Sequence, residues 1–252
     1  MTRNAKLKVL VCATIVLVAV VFFLPPIPQS LEYHHFADKR FLWGIPNFAN
    51  VVSNLPFLWT GGLGIYYLIR FRGSGWVRAV YGVLFLAIMC IAVGSGYYHL
   101  HPDNERLLFD RLPMTVVFMA LLTATVMEFI TLRLGKTVFL PLVFIGVFSV
   151  CWWSYTEHLG RGDLRLYGLV QFYPMVCIPA IMGLFYQPTF KSPVRALIFV
   201  VVWYAMAKML ETFDGPIYRL LGISGHTLKH LAASISTYYL VLFFRRRYFP
   251  RT

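Results

Sequence analysis

His226 and His230 stand four residues apart in Ser224-Gly225-His226-Thr227-Leu228-Lys229-His230. On a helix this interval puts both rings on one face, one turn apart, where two imidazoles can grip a single metal ion. Two interfacial histidines bonded to lipid or backbone would have the same spacing, so the pair alone leaves both readings open. Ser224 or Gly225 is the expected N-cap. Ser95 and His99 repeat the interval in Gly94-Ser95-Gly96-Tyr97-Tyr98-His99, which puts a hydroxyl on the face of a third imidazole. Asp110 follows in Leu107-Leu108-Phe109-Asp110-Arg111-Leu112-Pro113-Met114. An acid just before a proline suits a helix start, so capping is the plain reading of Asp110. A general base is the other. Three histidines, an aspartate and a serine thus arrive from three helix ends, and three His ligands with an open fourth position are the catalytic zinc arrangement.

The elements that must carry these residues are apolar runs over 7–24, 50–69, 76–98, 113–132, 137–155, 167–186, 194–213 and 226–244. The 252 residues are 59% hydrophobic and 13% charged, and mean hydropathy is +0.68. Soluble domains carry about 25% charged residues, so a soluble enzyme is excluded, and a disordered chain with it. A spanning helix needs about 20 apolar residues. Because the runs are continuous rather than alternating, a β-barrel is excluded as well. The fold class that remains is all-α, a polytopic membrane helical bundle of eight spans.

The charges orient it. With both termini cytoplasmic, the short loops around Arg3, Lys6, Lys8, Arg70, Arg72, Arg78, Arg133, Lys136, Lys191, Arg195, Arg245, Arg246, Arg247 and Arg251 hold no acid. All 7 histidines and every acid except Glu128 fall on the other side. The positive-inside rule therefore places the chemistry near the non-cytoplasmic face. It also explains the net charge of +13 by topology and anionic lipid rather than by a nucleic-acid partner.

Other features are read more plainly. Cys12, Cys90, Cys151 and Cys177 lie inside apolar runs without CxxC spacing, as small hydrophobes do. The first run, behind Lys6 and Lys8, resembles a signal peptide as much as an anchor. It ends in Phe22-Phe23-Leu24-Pro25-Pro26 with no small-residue cleavage site, so a retained helix is expected. Lys208 and Glu211 are expected to neutralise each other, with a head-group role as the alternative. Glu157 and His158 are expected in a solvated loop rather than as a fourth ligand.

The same residues resemble a family. GSGYYH, FDRLPM and SGHTLKH, with Asn50-Val51-Val52-Ser53-Asn54, are similar to the signatures of alkaline ceramidases. Those enzymes belong to a superfamily of seven-helix membrane hydrolases that includes adiponectin receptors and GPI-lipid remodelling proteins. The likeness covers about 38–247. It divides the chain into an N-terminal helix with its connection, 1–37, and a seven-helix hydrolase domain, 38–252. The resemblance implies a Zn2+-dependent amidase that uses water to cleave ceramide-like membrane lipid into a sphingoid base and a fatty acid. His99, His226 and His230 would hold the metal, Asp110 would activate the water, and Ser95 would sit beside the metal. The animal enzymes also carry Ca2+ on several acids before the first family helix. Here Asp38 is the one carboxylate and Asn47 stands where an acid is expected, which offers calcium little to hold. Two other outcomes fit the same residues: an esterase or phospholipase-like remodeller, and a receptor-like protein with a structural zinc.

Overall fold

The computed structural model describes residues 1–188 and 191–249; Arg251 and the Lys191 side chain, both counted among the cytoplasmic charges, lie outside this description. The protein is an all-α membrane bundle. Its helices are α1 (Arg3–Phe23), α2 (Phe48–Val52), α3 (Leu55–Arg70), α4 (Gly75–Leu100), α5 (Asn104–Thr125), α6 (Leu132–His158), α7 (Arg165–Leu184), α8 (Lys191–Thr212), α9 (Asp214–Leu221) and α10 (Gly225–Tyr248). Among the described residues, six helices are long and apolar enough to cross a membrane: α1, α4, α5 with its C-terminal extension, α6, α7 and α8. The remaining two expected spans are α3, only 16 residues long, and α10, which carries Lys229 and ends in Arg245, Arg246 and Arg247. Both pack against neighbouring helices, α10 against α8 and α3, and α3 also against α4.

Local chemistry sets the helix ends. Asp103 caps α5 by accepting the Arg106 N–H at 2.7 Å, so this helix begins well before the expected 113. Pro113 consequently lies inside it. A proline there has no N–H for the Phe109 carbonyl four residues back. Gly94 of α4 packs against that carbonyl so closely that a Cβ at position 94 would collide with it. The loss of one intrahelical bond and the lack of one side chain therefore bring α4 and α5 together where the site lies. At its other end α5 widens into a π-helical turn, Val126–Ile130, and Thr131 caps α6 through the Leu134 N–H.

In lipid, polar side chains must find partners within the bundle. Thr60 of α3 meets Thr237 of α10 at 2.9 Å, and the Ser236 hydroxyl donates to the Val200 carbonyl of α8 at 2.8 Å. The first helix joins the bundle through α7, where Thr14 meets the Tyr173 hydroxyl at 2.7 Å.

Between α1 and α2 the chain crosses the end of the bundle as a strap. The Ile27 carbonyl accepts the Leu164 N–H, and the Gln29 N–H donates to Glu157 at 2.6 Å. His34 uses both ring nitrogens, on the Tyr98 hydroxyl and on Asn104. Arg111, buried between the rings of Trp153 and Tyr167 at 4.3 and 4.5 Å, donates to the Gln29 side chain.

Candidate metal centre

Two helices deliver the three histidines. His99 stands in the last turn of α4, and His226 and His230 occupy the first two turns of α10. Their ring centroids form a near-equilateral triangle of 4.9, 4.8 and 4.9 Å. All three are buried, and their nearest ring nitrogens lie within 4.8 Å of one another. A tetrahedral ion with bonds near 2.0–2.1 Å needs nitrogens about 3.4 Å apart, so the three nitrogens would have to draw closer to hold one ion. The cluster can hold a metal ion. Among the described residues it is the one group of three or more His, Cys, Asp or Glu side chains gathered in this way.

Hydrogen bonding supports that fit. His99 is 0% exposed, and neither of its ring nitrogens has a partner. Buried polar atoms are rarely left so. For His230 the serine at position 53 is the partner: its hydroxyl lies 2.8 Å from Nδ1. The same hydroxyl donates to the Asn50 carbonyl at 3.2 Å. It can then accept the Nδ1 proton, which leaves the Nε2 lone pair for an ion. His226 differs. The Lys229 ammonium donates to its Nε2 at 2.9 Å and to Glu211 at 3.0 Å. Ligation through that nitrogen requires Lys229 to turn fully to Glu211, which it already touches.

The expected catalytic pair lies beside the triad. Ser95 and Asp110 are both buried, neighbour each other, and line one cavity with His230 and Lys229. The capping reading of Asp110 is corrected here. Asp103 performs that task, and Asp110 lies within α5, past its first turn. For the N-cap of α10 the structure chooses Ser224, whose hydroxyl accepts the Thr227 N–H at 3.0 Å.

That cavity encloses about 900 Å³ including its mouth. Its polar end holds Asp110, Lys229, Glu211 and Lys208. Its apolar end runs past Phe118, Leu121, Val200 and Leu240 between α5, α8 and α10. The Lys208–Glu211 pair forms as expected, and Lys229 joins it, so this charge cluster belongs to the wall of the site. Glu157 is no ligand and is not merely solvated: it accepts both the Gln29 N–H and the Trp153 indole N–H. His158 bonds the Ser154 carbonyl on an exposed helix end. Asp38 is buried and spends its carboxylate on Arg40, at 2.9 and 2.6 Å. The Asn47 amide donates to the His99 carbonyl at 2.9 Å. Neither side chain is turned toward a shared cation.

Several site residues escaped the sequence reading. Phe36 of the strap packs on two rings of the triad, 4.7 Å from His99 and 4.4 Å from His226. Tyr33 lines the cavity and donates to Glu211 at 3.2 Å. Asp214 takes the Ala37 N–H on one carboxylate oxygen and the His226 N–H on the other, both at 2.9 Å. It thus ties the strap to the first turn of α10. Asn50 accepts the Thr227 hydroxyl at 2.7 Å and so braces the same turn, while Ser53 braces the next one through His230. The 50–54 motif did carry a signal: its polar residues fall three and four apart, on one helical face. Nothing in the sequence marks Phe36 or Asp214.

Neither protein-family models nor curated proteins give a match to this chain.

Proposed function

We propose that this protein is an intramembrane zinc-dependent hydrolase of lipid amides, acting on ceramide-like lipids near the non-cytoplasmic face of a membrane, with both termini cytoplasmic. The observation that carries the reading is the buried triad with unpartnered ring nitrogens on His99, set against Ser95 and Asp110 at the head of a cavity with an apolar tail. The resemblance to alkaline ceramidases points the same way. Bound at His99, His226 and His230, zinc would supply Lewis-acid polarisation of the amide carbonyl and acidification of the attacking water.

The chain's own residues do the rest. The Asp110 carboxylate takes the proton of the attacking water and returns it to the leaving amine. The Ser95 hydroxyl donates a hydrogen bond to the carbonyl oxygen as it gains charge. Tyr33 and the Lys208–Glu211–Lys229 cluster bind the polar head, and the apolar end receives an acyl chain. Phe36 shields the rings from bulk water.

The test is metal analysis of purified protein together with hydrolysis assays over ceramides and glycerolipids. Asp110→Asn keeps size and helix position but cannot take the proton. It is expected to remain folded and zinc-loaded while turnover falls about 10²–10⁴-fold. Turnover retained by Asp110→Asn on a confirmed substrate would remove the base from this mechanism. Cleavage confined to glycerolipids would move the activity to an esterase, and zinc without hydrolysis of either class would favour a receptor.

A further inference from the structure

Beside the histidine cluster the surface carries an apolar group with no cover. Phe41, Leu42, Trp43, Leu220, Leu221 and Ile223 are exposed, Trp43 by 81% and Leu220 by 82%. They belong to two segments. One is a tight turn in which Leu42 and Ile45 exchange N–H···O bonds at 3.1 and 2.9 Å. The other is α9 with the residues that follow it. Arg40 joins them, donating to the Gly222 carbonyl at 3.2 Å while its guanidinium lies 6.0 Å from the Tyr218 ring.

Water is a poor environment for this group. Trp43 has φ +51° and is followed by Gly44 at φ +79°, so a bulky side chain is held in the left-handed region at a conformational cost. The turn projects its largest apolar residue outward. Three observations indicate lipid. The first turns of α3, a few residues further along the chain, also expose apolar side chains, with Leu55 and Trp59 59% and 61% exposed. It lies at the level where α4 ends and α3, α5 and α10 begin, the depth of a head-group layer where tryptophan collects. Lys39 and Arg219, both exposed, flank it, as suits lipid phosphate. The α9 helix is also amphipathic, with Arg219 on the side opposite Ile217 and Leu221.

We propose that the 41–44 turn and α9 form one interfacial anchor, inserted at the head-group–acyl boundary of the membrane the bundle spans. The anchor is joined to the metal centre. Asp214, the first residue of α9, holds the His226 N–H, and Arg40 holds Asp38 at the foot of the strap. The depth of the anchor therefore sets the depth at which a lipid head meets the histidines.

The test is tryptophan quenching in lipid nanodiscs of phosphatidylcholine and phosphatidylglycerol, where both faces meet solvent. The Trp43 emission is the difference between wild type and Trp43→Phe, a substitution at an exposed position. It is expected to be blue-shifted and to lose most of its intensity to phospholipids brominated near the head of the acyl chain, with little loss to iodide. In the Trp43→Phe background, Leu220→Trp is expected to restore a component with the same behaviour. Quenching by iodide would place the patch in water. A component that neither quencher reaches would place it under another protein or a second copy. Either result overturns the anchor. Neither metal nor activity enters the measurement, so it stands apart from the hydrolase reading.

Discussion

Two polar clusters are buried at opposite ends of α5 and α10, and they are built on opposite plans. At the far end Glu128, in the π-helical turn, is matched within the chain. One carboxylate oxygen accepts Arg247 Nε at 2.7 Å, and the other accepts the hydroxyls of Tyr248 and Tyr81. At the near end His99 has no partner for either ring nitrogen, and a lysine ammonium rests on His226. A cluster satisfied by its own chain is a clasp that holds helices together. A cluster left short of partners can be completed from outside, and three imidazoles gathered in this way can hold a cation. Burial is common to both, so burial alone does not separate structure from function. The hydrogen-bond inventory does.

The largest expected effect is on the unsatisfied cluster. His230→Ala should purify folded but carry almost no metal, since two imidazoles and an open side remain; elemental analysis reads this directly. A metal content equal to wild type would break the contrast, because the triad would then not be the binding site. Glu128→Gln should do the reverse, lowering stability by about 1–3 kcal/mol through the loss of charged hydrogen bonds while metal content stays unchanged. Thermal unfolding with and without a chelator separates the two. Ser53→Ala sharpens the comparison, because Ser53 acts on the metal only through His230. Loss of such a supporting partner should weaken metal affinity about 10-fold with little change in fold, measured by competition with a chromogenic chelator.

The smallest effect concerns pH and lies in the loops of the near end. Hydrogen bonds from Arg40 and Arg165 hold the Asp38 and Asp163 carboxyls below the ordinary carboxylate range. A carboxyl depressed in the folded state contributes stability above its unfolded pKa, about 3.9, which is lost as pH falls through the lower folded value. Asp38→Asn should therefore lower the melting temperature at neutral pH, and the gap to wild type should close under strong acid. A gap of constant size from neutral to strongly acid pH would show that the ion pair contributes nothing.

How much of this was legible beforehand follows from the range of the interactions concerned. The α10 cap, the pairing of His226 with His230 and the sharing of a face by Ser95 and His99 depend on residues within one turn, and spacing reveals them. The start of α5 misled because Pro113 looks like a helix start. The real cap, Asp103, lies ten residues earlier in a segment too polar to read as part of a span. The charge run of α10 hid nothing, yet the role of Lys229 was missed, because its partner Glu211 comes from another helix.

Continuous apolar runs and charge placement, both properties of neighbouring residues, determined by themselves that this chain is a helical membrane bundle and that its histidines gather at one end. Only the tertiary structure decided that His99 meets His226 and His230, that Asp110 is free of capping, and that the 27–38 strap roofs the histidine rings. These outcomes depend on contacts between residues far apart in the chain: the approach of Gly94 to the Phe109 carbonyl, and the two hydrogen bonds of Asp214 to Ala37 and His226. Long-range packing of this kind leaves no period in the sequence, because each partner's position is set by where another helix happens to end.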